Sequence, residues 1–351
     1  MKTAAHLAIA PLLCQLLLAG TAVAQGGSGN TMPAASIARL PTAVLDITPP
    51  AARISGTPGT MHIIDRSCPT LASGTNLRQH IVDTVVQEWA FFGLRITDQR
   101  GTAPVPGQQT TRRSRRFGPL NPDEVAHVAA SVAGYWAAAP GSDWILARQN
   151  ERWNGPNGLA SRYSDPWSAA FISWVMCESG LGDMQQFRRA IAHHSYIDQA
   201  IRARDGQAPD AVYIAYDPGE QAINPGDMLC NGLRPAYRNL AQRRKQLGEG
   251  ARTHCDIVVQ INDQAGLLLT IGGNVRSAVR MKIFPLGNRG TPAPTPLPTA
   301  RTIFAHLQLQ APTIAADALQ RSATLTSLAC TLPNTPATFA DAQITLSSAH
   351  C

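Results

Sequence analysis

Two periods of apolar residues succeed one another along the chain. From Asn76 to Leu94, Ile81, Val85, Val86, Trp89 and Phe92 recur at helical spacing, and Gly93 supplies the stop. Asn121-Pro122-Asp123-Glu124 offers an N-cap, a first-turn proline and two acids at the positive end of the helix dipole, which predicts a helix to about Ala139. A shorter helix is expected between Trp144 and Tyr163. The breaker "NGPNG" then delivers the chain to "SDPWSAAFISWVMCESG". There Asp165 is placed to cap, Pro166 suits the first turn, and Gly180 suits the left-handed residue after the last turn. Ala169, Ala170, Phe171, Ile172, Trp174, Val175 and Met176 leave almost no polar face, so this helix belongs in the middle of its domain. One more helix is expected from about Met184 to Arg204.

Beyond it the period shortens to two. "NPGDMLC" is a turn feeding a strand, "HCDIVVQI" alternates, "GLLLTIGGN" follows a polar turn, and "AVRMKIF" alternates again. Helices first and strands second predict an α+β domain at 67–286 containing an antiparallel meander. A Pro/Gly/Arg-rich surface loop is expected at 97–120. Residues 25–66 read as a flexible leader and 287–351 as a Pro/Thr/Ala-rich tail with one strand at 302–309.

The ends and the cysteines place this domain in a compartment. Residues 1–24 carry a lysine, a short apolar run and a closing Ala-Val-Ala, the layout of a cleavable export signal, with cleavage expected near Ala24. No later run approaches the roughly 20 apolar residues that span a bilayer, so no integral membrane segment is expected. Six cysteines follow the leader: Cys68, Cys177, Cys230, Cys255, Cys330 and Cys351. An even number in an exported chain argues for disulfides, and a Cys330 to Cys351 bridge would hold the end of the tail, but sequence alone does not choose among the pairings. The formal charge of +7 suits an anionic partner. The densest basic run, Arg112, Arg113, Arg115 and Arg116, has no interleaved aromatics and reads as a solvated loop, not a nucleic-acid site.

Three positions carry candidate chemistry. With a period of two, His254, Asp256, Val258 and Gln260 share one face of their strand, while Cys255, Ile257, Val259 and Ile261 share the core face. Ser168 stands at the mouth of the buried helix, where free amides favour developing negative charge. Asn274 ends the next strand, where its amide is placed to orient an imidazole. Nucleophile, base and orienting group are the parts of a triad. The bland alternative for Ser168 is a polar residue satisfying first-turn amides.

These residues resemble a known pattern. Pro166-Trp167-Ser168-Ala169-Ala170-Phe171, Pro225-Gly226-Asp227, His254-Cys255-Asp256-Ile257-Val258-Val259 and Gly273-Asn274 follow the order of the CHAP amidases and related papain-like cell-wall peptidases. The stretch from about 77 to 285 is still more similar to the bacterial domain of unknown function 2272, through "PWSAAFISWVM", His193-His194-Ser195-Tyr196-Ile197 and "HCDIVV". The resemblance implies a papain-like arrangement of helices on a small meander and a cleft at Ser168. It departs at the nucleophile, where Ser168 stands in place of cysteine, and at Asp256, which stands in place of glycine. Serine keeps its proton until a base removes it, so His254 is expected to act as general base with Asn274 or Asp256 holding the ring.

Trp167, His193 and Tyr196 are expected to line the cleft or touch substrate, a buried His-Tyr hydrogen bond being the plainer alternative. Cys177 lies roughly 13 Å along the helix from Ser168, too far to replace it, and suits a disulfide with Cys68. Cys230 and Cys255 would be bridged across neighbouring strands of the CHAP-like meander. His193, His194, His254 and Asp256 lack a metal-site spacing, and neither metal nor cofactor is expected. The leading expectation is an exported hydrolase of amide bonds in peptidoglycan or another anionic wall polymer. A catalytically inactive wall-binding or assembly module, and a serine esterase or acyltransferase, are its rivals.

Overall fold

In the computed structural model the two periods become two layers, described over residues 37–101, 122–287, 295–296, 301–331 and 337–346. The export signal, the basic run at 112–116 and Cys351 lie outside the described residues. In chain order the elements are α1 (Thr42–Leu45), β1 (Ile54–Ser55), β2 (His62–Ile63), α2 (Leu77–Phe91), β3 (Ile96–Asp98), α3 (Pro122–Ala137), α4 (Asp143–Trp153), α5 (Ser168–Glu178) and α6 (His194–Arg204). Then follow β4 (Tyr213–Tyr216), β5 (Met228–Arg234), α7 (Leu240–Arg244), β6 (Arg252–Asn262), β7 (Leu267–Val275), β8 (Ala278–Gly287), β9 (Thr295–Pro296), β10 (Ile303–Leu309) and α8 (Ala323–Thr331). This is a mixed α+β fold with a mostly antiparallel sheet.

The helices form where the apolar spacing predicts, with differences at their ends. Asn76 caps α2 by accepting from the Gln79 amide at 3.1 Å, and Gly93 takes the left-handed conformation at φ 82°. Every residue of α5 is buried. Its N-cap is Trp167, with no side-chain cap; Asp165 lies instead 3.6 Å from the Arg148 guanidinium. α6 is shorter than its periodicity suggests. The Gln199 side chain bonds the Met184 and Gln185 carbonyls and the Arg188 amide, and these bonds hold the preceding segment as turns.

The sheet is larger than a small meander. Its order is β3-β8-β7-β6-β5-β10-β4, with β9 on β8, and β3 is parallel to β8. Pleat alternation gives it two faces. Cys255, Ile257 and Val259 of β6 join Ile271 and Phe171 in the main core under the helices. Leu229, Val258, Leu268, Phe284 and Leu286 form a second apolar cluster on the opposite face.

The described parts of both ends expected to be loose are built in. Residues expected to form the flexible leader bury Leu45, Ile47 and Met61, and Arg53, 1% exposed, pairs with Glu178 of α5 at 2.5 Å. The strand expected in the tail is β10, an interior strand between β5 and β4. Arg78 of α2 fastens it, bonding the Asp227 carboxylate at 2.7 Å and also the Leu309 carbonyl, while Asp227 accepts from the Leu309 amide at 3.0 Å. Such buried ion pairs join segments far apart in the chain, so no local apolar pattern records them. Two disulfides, Cys68–Cys177 and Cys230–Cys255, add covalent ties. The Cys330 to Cys351 expectation involves a residue outside the described set.

Candidate functional site

Ser168 is the first residue of α5, where backbone amides have no helical partner, and it is 8% exposed. The imidazole that reaches it is His193, not His254: His193 Nε2 lies 2.7 Å from Ser168 Oγ. His193 immediately precedes α6, and Tyr196, on the first turn of that helix, sets its hydroxyl against His193 Nδ1. The Cys255 amide also donates to Nδ1, at 3.3 Å. The His-Tyr bond weighed from sequence thus exists, and the same ring touches the candidate nucleophile.

An amide can only donate, so in this arrangement Nδ1 is an acceptor and the neutral ring carries its proton on Nε2, donating to Ser168. Burial pushes the His193 pKa well below the usual histidine value, and the nearby His254 and Lys282 add to the effect. The ring is therefore neutral. To take a proton from Ser168 it must move its own to Nδ1, with the Tyr196 oxygen as acceptor, and release the Cys255 amide. Leaving one buried amide unsatisfied costs about 1–3 kcal/mol, small against the roughly 8–23 kcal/mol by which enzymes lower barriers.

His254 and Asp256 do share a face, the one opposite α5, and they belong to a second cluster. His254 Nε2 lies 2.9 Å from Asp256 Oδ1, and the Lys282 ammonium donates to Asp256 Oδ2 at 2.7 Å and lies 3.1 Å from His254 Nε2. The β6–β7 register that pairs Ile257 with Ile271 sets Asp256 across from Gly272. A Cβ there would fall 1.9 Å from Asp256 Oδ1, so the glycine makes room for the carboxylate to lean toward β8. Burial raises the Asp256 pKa, but Lys282 and then His254 outweigh it and leave the carboxyl below the usual range. Burial, then Lys282, lowers the His254 pKa. The two clusters touch through their imidazoles, whose ring centres are 5.1 Å apart, edge to face.

Asn274 hydrogen-bonds neither imidazole; it sits at φ 56° beside the β7–β8 turn. Trp167 is fully buried and stacks on Phe92 and Tyr135. His194 lines a separate recess with Ser195 and Asp198, and no group suited to holding a metal ion occurs among the described residues. Lys282 and Gly272 escaped sequence reasoning. A lysine in register with Phe284 and Leu286 on an inward strand face is the available signal for the first.

The bacterial family described as "Uncharacterized protein conserved in bacteria (DUF2272)" matches residues 125–301, half of the chain, including Ser168, His193, Tyr196, His254, Asp256 and Lys282. The chain belongs to the DUF2272 family. No curated protein and no solved structure matches it. The DUF2272 match ends just before β10, so an interior strand of the sheet comes from outside the matched segment.

Proposed function

We propose that the protein is an exported hydrolase of amide bonds in peptidoglycan or a similar anionic wall polymer, with Ser168 as nucleophile and His193 as its base. The 2.7 Å contact between Ser168 and His193 at a helix N-terminus carries this reading. The first-turn amides of α5 are placed to stabilise an oxyanion formed beside Ser168. Tyr196 holds the His193 ring, and the Lys282–Asp256–His254 cluster sets the potential around it. A buried lysine, carboxylate and imidazole are costly in a core, which favours a functional role. The order of Ser168, His254 and Asn274 resembles the papain-like amidases, with the base moved to His193. Residues 1–24 and the two disulfides support export, and the positive charge supports an anionic substrate.

Purified sacculi incubated with the mature chain should release soluble fragments, and Ser168→Ala and His193→Ala should each reduce release by at least about a hundredfold, the scale of acid–base catalysis. Undiminished release by both variants sinks the proposal.

One observation favours a second reading. With Cys255 donating to His193 Nδ1, the resting Ser168 receives a hydrogen bond and is not deprotonated, as suits an inactive wall-binding or assembly module. A serine-directed fluorophosphonate separates the two: labelling of Ser168 supports the nucleophile, and sacculus binding without labelling supports the module. Esterase or acyltransferase action would use the same dyad and would show as turnover of acyl esters but not sacculi.

A further inference from the structure

We propose that the cavity between α2, the start of α3 and the β7–β8 turn binds a small aromatic carboxylate. It encloses about 240 Å³ and is lined by Phe91, Phe92, Val128 and Tyr163 on its apolar side and by Arg95 and Arg276 on its charged side. Phe92 and Tyr163 both pack on Trp167, so one aromatic layer separates the cavity from the residue preceding Ser168. The inference uses none of the residues of the Ser168–His193 reading and stands apart from it.

Two observations converge on the cavity. The first is the β7–β8 turn. Val275 pairs with Ala278, so Arg276 and Ser277 are its two central residues, and both are left-handed, at φ 53° and 61°. Asparagine and glycine normally occupy such positions, because other side chains there strain the backbone. This strain sets Arg276 in the cavity wall. The second is an excess of guanidinium. Arg95 is answered by Glu124 at 2.6 Å, and Asp123, also in the wall, is already partnered. Arg276 makes no ion pair or hydrogen bond among the described residues. Arg280 stands close behind, and burial together with Arg95 and Arg276 lowers its pKa to about 10.

Together these define a two-ended ligand. A carboxylate meets the planar fork of Arg276, which suits bidentate recognition, and a single flat ring lies among the phenylalanines and Val128. The volume is below the roughly 300–1,000 Å³ of drug-sized sites, which restricts the ligand to about one ring.

The test titrates the full chain with benzoate, benzyl alcohol and benzylamine by calorimetry or ligand-observed NMR. Benzoate should bind with a dissociation constant of about 1 mM or tighter, and the alcohol and amine at least about tenfold more weakly. Arg276→Gln, at an exposed turn, should weaken benzoate about tenfold. Val128→Phe should fill the cavity and abolish binding with an unchanged circular dichroism spectrum. No saturable binding of benzoate, equal binding of benzylamine, or benzoate binding untouched by Arg276→Gln would each overturn the proposal.

Discussion

Replacing Gly272 with alanine tests whether the Asp256 cluster is built as described. The added Cβ would lie 1.9 Å from Asp256 Oδ1 and 2.9 Å from its Cγ, where real contacts stay beyond 3.0 Å. The carboxylate must move by more than 1 Å, which breaks the 2.9 Å contact to His254 and the 2.7 Å bond to Lys282. Gly272 does not have a positive φ, so alanine strains no backbone; the next atom it meets, His254 Nε2 at 3.3 Å, need give only slightly, and the change would otherwise stabilise the fold by about 0.4–1 kcal/mol through the unfolded state. Separating a buried charge pair costs about 3–5 kcal/mol, several times that gain. The net expectation is a loss of about 2–4 kcal/mol in urea-induced unfolding, read as a lower midpoint at unchanged slope. Adding Gly272→Ala to an Asp256→Ala background should then cost almost nothing, because the atom it strikes is gone. A Gly272→Ala midpoint equal to that of the native chain, or equal losses in both backgrounds, refutes the reasoning.

Acid should destabilise the protein earlier than carboxylate titration alone would. Burial holds His80, His193 and His254 below the usual histidine value, so between that value, about 6.5, and their folded values the unfolded chain binds more protons and stability falls with pH. The slope is at most about 1.4 kcal/mol per pH unit per ring, and a flat urea midpoint from pH 7.5 to 5 would contradict it. The depressed Asp256 adds stability that is present above its unfolded pKa and lost as pH falls through its folded one. If His193 is the base, the acid limb of kcat/KM for sacculus turnover should lie below pH 6.5, and a limb at or above about 6.5 would place the titrating base elsewhere. Arg78→Met should cost about 3–5 kcal/mol by leaving Asp227 charged and its guanidinium partner missing, measured by denaturation. Removing the Cys68–Cys177 pair, 109 residues apart, should cost about 4–5 kcal/mol and the Cys230–Cys255 pair, 25 apart, about 3–4, so the first variant should melt lower.

Local pattern carried much of this fold. The helical spacing of Ile81, Val85, Val86 and Trp89 is α2, and the all-apolar stretch from Ala169 to Met176 is the buried α5. The alternation from His254 to Val258 correctly put His254 and Asp256 on one face, because pleat geometry is a property of the strand alone. The described part of the leader, and the interior place of the strand expected in the tail, were missed for one reason. Their anchors are Arg53 to Glu178 and Arg78 to Asp227 and Leu309, contacts 125 to 231 residues apart between polar groups that no apolar period records.

The chain by itself determined the element types, the faces of β6 and the helix-mouth position of Ser168, since each depends on neighbours within a few residues. Which imidazole meets that serine was decided by tertiary packing alone. His254 is turned to the face opposite α5 and held by Lys282 and Asp256, and the short turns before α6 bring His193 to within 2.7 Å of Ser168. Spacing along a sequence reports what one element can present, whereas the partner across the gap depends on how separate elements pack.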